Sequence, residues 1–167
     1  MDHPVLDQLV LGYGALFNAK RAPVIARLTV HPLSGSAEEQ ARGLLEMLAE
    51  AWPAEQGPLS LNPTSEALLQ ALLPMAAPGH LILEVPAFMA SDPATAAQLL
   101  ARHAAGSRQV LKGRPLSPLP SELAHAFEHV LVESAENRRA GDQPASASAR
   151  KTAWVLTGAV LASEASA

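Results

Sequence analysis

The sequence contains no cysteine. This absence excludes a disulfide framework, a thiolate zinc site, an iron–sulfur cluster and a cysteine nucleophile. Aromatic residues make up only 4% of the chain and charged residues 17%, whereas hydrophobic residues make up 49%. The charged fraction is below the roughly 25% of an average globular protein, so we expect a packed core rather than wholesale disorder.

Basic residues are also scarce, with 12 Lys and Arg against 16 Asp and Glu and a net charge of -4. Such a chain repels phosphate groups and has no polybasic stretch, so we expect neither nucleic acid nor a membrane surface as a partner. No apolar run approaches the roughly 18 residues that span a bilayer. Residues 1–4 lack the basic flank and apolar stretch of a signal peptide, and we therefore expect a cytoplasmic protein.

The 167 residues are enough for one domain, which we place over residues 1–167. Strand-length apolar runs alternate with helix-like segments, a pattern typical of a parallel sheet covered by helices. The first two runs, 8–17 and 23–31, are separated by only five residues. That connection is too short for a crossover, so these two strands are predicted to pair antiparallel.

Helix and strand signals follow along the chain. Ser36 and Glu39 form a capping box that opens a helix ending near Pro53, and Pro63 suits the first turn of the next helix. Further strands are predicted at 59–62, 80–85, 107–112 and 129–133, further helices at 92–106 and 121–128, and a final apolar run at 152–161. Residues 136–150 are rich in Ala, Ser, Arg and Asn and are predicted to form a mobile loop.

Two motifs resemble known sites but fail on inspection. Gly12 and Gly14 look like the start of a dinucleotide-binding fingerprint, but Phe17 occupies the third glycine position and a hairpin turn follows. His125 and His129 have the spacing of a helical zinc pair, but Ala126 stands where the metalloprotease glutamate would follow. We interpret the glycines as part of a twisted strand and the histidines as solvated or strand-start residues.

Glu84 interrupts an apolar strand, where a carboxylate costs several kcal/mol unless a partner, a metal or water compensates it. In a βα barrel, polar residues at the carboxyl ends of strands face the mouth, and Asn62 ends a strand in this way. Their oxygens suit Mg²⁺ or Mn²⁺. The alternative is that Asn62 caps the following helix and Glu84 pairs with a neighbouring cation.

Four segments follow one another along the chain: Tyr13-Gly14-Ala15-Leu16, Ile25-Ala26-Arg27-Leu28, Leu59-Ser60-Leu61-Asn62 and Leu81-Ile82-Leu83-Glu84-Val85. Their order and spacing resemble the EAL domain family, most of all from Asn62 to Glu84. The resemblance implies a modified TIM-type βα barrel with an antiparallel first strand. It also implies cyclic-di-GMP phosphodiesterase activity, in which carboxylates hold two Mg²⁺ or Mn²⁺ ions.

Several family site residues are replaced in this chain. Ala26 stands in place of the motif glutamate, Val30 of the phosphate-gripping arginine, Gly14 of a glutamine, and Lys112-Gly113 of an aspartate pair; Glu133 is a loose match to a later acid. Asn62 and Glu84 alone match as remnants of the family site. Arg27 is the one compensating candidate, but we expect it to point away from the mouth, with Ala26 and Leu28 in phase toward it.

The resemblance with these losses predicts a catalytically inactive EAL-like module with no catalytic residue, no metal and no cofactor. Its role would be regulatory or protein-binding in bacterial signal transduction, similar to EAL domains fused to HDOD domains. Cyclic-di-GMP binding is not expected to be tight. The alternative is a cyclic-di-GMP phosphodiesterase or nucleotide sensor that retains weak ligand or metal binding.

A complete eight-stranded βα barrel typically takes about 250 residues. This sequence ends where the family's seventh strand ends, so we expect an incomplete barrel without its final strand. Such a barrel would leave strand edges exposed, which predicts a protein partner, a homodimer, a borrowed strand or a shortened chain.

Overall fold

The computed structural model describes residues 3–18, 20–133 and 153–156. Its strands are β1 Leu9–Phe17, β2 Pro23–Pro32, β3 Leu59–Pro63, β4 Leu81–Pro86, β5 Arg108–Lys112, β6 Val130–Glu133 and β7 Ala153–Leu156. Its α-helices are α1 Ala37–Ala51, α2 Glu66–Leu72, α3 Ala87–Ala90, α4 Pro93–Ala104 and α5 Ser121–His125. Short 3₁₀ helices occupy Pro4–Gln8 and Ala54–Gln56. The predicted mobile loop at 136–150 lies outside the described residues.

The sheet follows chain order from β1 to β7. The pair β1–β2 is antiparallel, as predicted, and each later strand up to β7 pairs parallel with the one before it. The hairpin turn is fixed by Asn18, whose side-chain oxygen accepts from the backbone N–H groups of Lys20 and Ala22. Arg21 adopts a left-handed backbone conformation there, with φ 61°. The result is a mixed α/β fold with a curled, barrel-like sheet.

The curled sheet closes at one antiparallel residue pair, Phe17 with Val155. The described part of the chain therefore contributes seven strands, as expected for a barrel short of its eighth strand. Among the described residues, Phe17 with Val155 is the single pair that joins β7 to β1, and the sheet is consistent with an incomplete TIM-like barrel.

Apolar side chains are buried on both the inner and the outer face of the sheet. Inside the barrel, five side chains from five strands form one cluster: Leu16, Ile25, Ile82, Val110 and Leu131. The larger core lies outside the sheet, where residues such as Val30, Leu61 and Leu83 pack against helices. Burial on both faces is what parallel strands covered by helices require.

Most predicted helix starts are present. Ser36 caps α1 by accepting from the backbone N–H of Glu39, and Asp92 caps α4 through Thr95. The prediction at Pro63 is wrong: this residue ends β3, and α2 begins after Ser65, whose hydroxyl accepts from the N–H of Leu68. Serine is a better cap because its oxygen satisfies a free amide of the first turn.

Candidate functional site: a polar network at the barrel mouth

Beyond the apolar inner cluster, toward the carboxyl ends of the strands, the inward-facing side chains are polar. Because side chains alternate along a strand, the residues two positions after Ile25, Ile82 and Val110 also face inward. These positions are Arg27, Glu84 and Lys112. Ser60 and Asn62 of β3 join them through hydrogen bonds. This end of the barrel is where βα barrels place their functional groups.

Glu84 is completely buried, and both of its carboxylate oxygens accept hydrogen bonds. The Arg27 guanidinium donates from Nε to Oε1 and from Nη2 to Oε2, both at 2.7 Å. The Ser60 hydroxyl donates a third hydrogen bond to Oε1 at 2.8 Å. Such a two-bond arginine–carboxylate pair is the strong, directional form of ion pair. Glu84 therefore pairs with a neighbouring cation, as the alternative prediction stated.

Asn62 is engaged in the same way by a second cation. Its Oδ1 accepts from Nζ of Lys112 at 2.7 Å, and its Nδ2 donates to the Thr29 hydroxyl at 3.3 Å. Asn62 therefore joins β2, β3 and β5 across the mouth, and it does not cap α2, whose cap is Ser65.

His31 and Thr64 lie one step further out, at the rim. The Thr64 hydroxyl donates to the carbonyl of Val30 at 3.0 Å and lies within hydrogen-bonding distance of His31 Nδ1, at 3.2 Å.

The direction predicted for Arg27 is wrong. Arg27 points into the barrel and binds Glu84, whereas Ala26 and Leu28 pack against the outer core. Val30 also points outward and is completely buried, so the position assigned to the phosphate-gripping arginine is not at the mouth. Gly14 lies directly opposite Arg27 and leaves room there, because glycine has no side chain.

The remaining sequence candidates lie apart from this network. Glu133 ends β6, and its side chain is outside the described part of the structure. His125 ends α5, where its ring contacts the carbonyl of Ser121. Within residues 3–18, 20–133 and 153–156, no three His, Cys, Asp or Glu side chains are grouped as a metal site would require.

Sequence reasoning missed Ser60 and Thr29, and it did not foresee that Lys112 would bind Asn62. A signal for them was present. Ser60 and Asn62 are two residues apart in β3, as Arg27 and Thr29 are in β2, and a two-residue spacing places polar side chains on one face of a strand. Each pair lies within an otherwise apolar run.

The network brings together two cations and one carboxylate. Both oxygens of Glu84 and the amide oxygen of Asn62 accept hydrogen bonds from protein groups, and two of those donors are positively charged. The arrangement links four neighbouring strands. It also places positive charge at the oxygens that the sequence indicates as ligands for divalent cations.

No protein-family model matches the sequence, and no curated protein is significantly similar to it. Among solved structures, the chain is similar to the YkuI protein of Bacillus subtilis, which has an EAL domain and was crystallised with its substrate c-di-GMP and calcium. The two are 15% identical with a TM-score of 0.48, and the match covers 81% of this chain and 44% of YkuI. This chain thus aligns with less than half of YkuI. In the described residues, no helix is long and apolar enough to cross a membrane.

Proposed function

We propose that this chain is a non-catalytic, EAL-like barrel module that acts through protein contact in signal transduction. The observation that supports this proposal is that side-chain cations bind Asn62 and Glu84, the two residues that match metal ligands of the family. Arg27 holds both oxygens of Glu84, and Lys112 holds the oxygen of Asn62. These are the positions at which an active family member would bind its metals.

The charges oppose two-metal chemistry. A two-metal hydrolase holds its cations about 3.5–4 Å apart with several carboxylates, so that they can activate water and stabilise the leaving oxygen. Here a divalent ion at Glu84 would have to displace the partly buried guanidinium of Arg27, and one at Asn62 would meet the ammonium group of Lys112. The divalent cation and these positively charged side chains would repel each other strongly, because water is largely excluded there.

The network has a structural role that does not depend on chemistry. Glu84 on β4, Arg27 on β2 and Ser60 on β3 fix three strands in one register. Breaking a buried ion pair on one side costs about 3–5 kcal/mol, so such a pair favours the arrangement that satisfies it. A regulatory module requires a stable scaffold with defined surfaces, which this network supplies.

The test combines binding and turnover. Purified protein is titrated with cyclic-di-GMP by calorimetry in Mg²⁺ and in Mn²⁺, and the same samples are assayed for hydrolysis. We expect no turnover above a metal-only control and no dissociation constant near or below micromolar. Turnover that is lost in Glu84→Gln would overturn the proposal in favour of a phosphodiesterase. Micromolar binding without turnover, weakened in Asn62→Ala, would overturn it in favour of a nucleotide sensor.

A further inference from the structure

The outer face of the β1–β2 hairpin is the one surface where an exposed aromatic side chain stands on the sheet itself, within the residues that the structure describes. Tyr13 of β1 is 72% exposed and Val24 of β2 is 39% exposed. Ala15 and Ala26, both half-buried, lie between them as a directly opposed pair, and Ala26 also packs against the edge of the outer core. We call these four residues the hairpin patch. None of them carries a charge.

The topology explains why this patch is uncovered. Consecutive parallel strands are joined by crossovers, which place a helix over the sheet. The antiparallel hairpin needs no crossover, so its turn contributes no helix. The 3₁₀ helix Pro4–Gln8 contacts β1 near Leu9, and Tyr13 and Val24 remain exposed.

Residues 134–152 and 157–167 lack the sequence pattern of a covering helix. An amphipathic helix that covers a sheet needs large apolar residues at positions such as i, i+3, i+4 and i+7. Residues 134–152 include no Leu, Ile, Val, Met or aromatic residue, and residues 157–167 include only the adjacent pair Val160 and Leu161. Neither sequence carries such a stripe.

The charge beside the patch indicates what kind of partner fits it. Residues 9–32 contain no Asp or Glu, in a chain whose net charge is -4. The turn presents Lys20 and Arg21, both exposed, at the end of the hairpin next to Val24. An apolar strip that ends at two cations complements an apolar helix face that ends in acidic residues.

The area disfavours a second copy of the chain. A stable interface buries about 800 Å² on each partner, and one aromatic residue contributes about 150–250 Å². With Tyr13 as its one large member, the patch is too small for a symmetric dimer. One amphipathic helix laid along the strands needs less area, and helix-in-groove recognition works through a few anchors.

We propose that the hairpin patch docks an amphipathic helix of a separate protein, with an apolar stripe over Tyr13 and acidic residues beside Lys20 and Arg21. This inference deepens the proposed role as a protein-contact module and rests on it. Failure of helix docking would leave the metal and nucleotide titrations unaffected, so the two proposals fail separately.

The experiment uses a displayed library of helical peptides of roughly 15 residues, the length at which isolated helices become measurable. Each peptide carries a fixed leucine stripe and variable residues elsewhere, and a library with a central proline is the non-helical control. Tyr13 is the only tyrosine in the chain, so 3-fluorotyrosine labelling gives a single ¹⁹F resonance at the patch.

We expect selected peptides to be enriched in acidic residues at one end and to shift that resonance. Tyr13→Ser should weaken their binding about tenfold or more, and K20E/R21E should weaken it severalfold, as loss of an anchor and of paired charges predicts. Leu116→Ser removes a fully exposed leucine elsewhere and should change nothing.

Four outcomes would overturn the proposal. They are no enrichment over the proline library, enrichment without acidic residues, binding that leaves the ¹⁹F resonance unmoved, or a stable dimer by light scattering that Tyr13→Ser dissociates. Because Tyr13 is largely exposed, its variant should keep the wild-type thermal transition, which separates lost binding from lost folding.

Discussion

Arg27 and Glu84 form a two-bond ion pair inside the barrel, with both nitrogen–oxygen distances at 2.7 Å. The Glu84 side chain is completely buried and that of Arg27 is 15% exposed. The pair joins strands that are not neighbours, β2 and β4, through the space above the apolar inner cluster. Its energetics and its effect on metal binding are the most direct consequences of the structure.

Truncating either partner should destabilise the protein strongly. Arg27→Ala leaves a buried carboxylate without its cation, and Glu84→Ala leaves a guanidinium without its anion; each should cost about 3–5 kcal/mol. The double variant R27M/E84L should cost less than either single variant, because no buried charge remains. Urea unfolding of the three variants measures this.

A second ion pair provides the control. Arg108 and Glu128 also make two hydrogen bonds, at 2.7 and 2.9 Å, but each side chain is about one third exposed. Glu128 raises the pKa of Arg108 through this hydrogen bond. Arg108→Ala should cost only about 0–1 kcal/mol, as for other exposed pairs. Equal losses of unfolding free energy in Arg27→Ala and Arg108→Ala would contradict the claim that burial makes the first ion pair more important for stability.

Arg102 should be important for stability although it contacts no acid in its hydrogen bonds. Its Nη1 donates to the carbonyls of Leu72, Leu73 and Met75, where α2 ends. Burial lowers the pKa of Arg102, and the carbonyls at the negative end of the helix dipole offset this by favouring the charged guanidinium. Arg102→Met should lower the free energy of unfolding by roughly 2–4 kcal/mol, because it removes charge-assisted bonds from buried carbonyls.

The matched control for Arg102 is Arg42→Met on the exposed side of α1, where we expect a change within about 0.5 kcal/mol. Thermal or urea unfolding compares the two variants. A loss at Arg102 no larger than at Arg42 would show that the three carbonyls are satisfied by water instead.

Asp92 should make stability depend on pH in the acid range. The Thr95 backbone N–H donates to its carboxylate at 2.9 Å and lowers the pKa of Asp92 below its ordinary value of 3.8. A depressed carboxyl pKa stabilises the fold above the unfolded value, and that contribution is lost as pH falls through the folded value. Asp92→Asn keeps a capping oxygen without titrating.

Unfolding midpoints of wild type and Asp92→Asn, measured from above to well below pH 3.8, test this linkage. The wild type should lose stability more steeply with falling pH than the variant does in that window. If the midpoints of the two proteins fall equally with pH, the charge of Asp92 contributes nothing to stability.

Sequence reasoning predicted the hairpin, the alternation of strands and helices, and the placement of Asn62 and Glu84 near strand ends. It failed on the direction of Arg27 for a physical reason. The alternation in β2 shows that Arg27 and Thr29 share one face and that Ala26, Leu28 and Val30 share the other, but not which of the two faces lies inside the barrel. The contacts of Lys112 with Asn62 were also out of reach, because they join strands 50 residues apart.

The ring closure at Phe17 and Val155 was unpredictable for a different reason. Pairing between the first and last strands depends on the tilt and stagger accumulated around the whole sheet. The local sequence of either strand does not reveal this accumulated tilt and stagger.

A Mn²⁺ titration by calorimetry on wild type and on R27Q/K112E tests whether side-chain cations exclude metal from the barrel mouth. We expect no binding to the wild type up to millimolar Mn²⁺, because Arg27 and Lys112 occupy the oxygens of Glu84 and Asn62. The double variant removes both cations and adds a carboxylate, so it should gain Mn²⁺ binding that Glu84→Gln in the same background abolishes. Micromolar Mn²⁺ binding by the wild type, lost in its Glu84→Gln variant, would contradict the account.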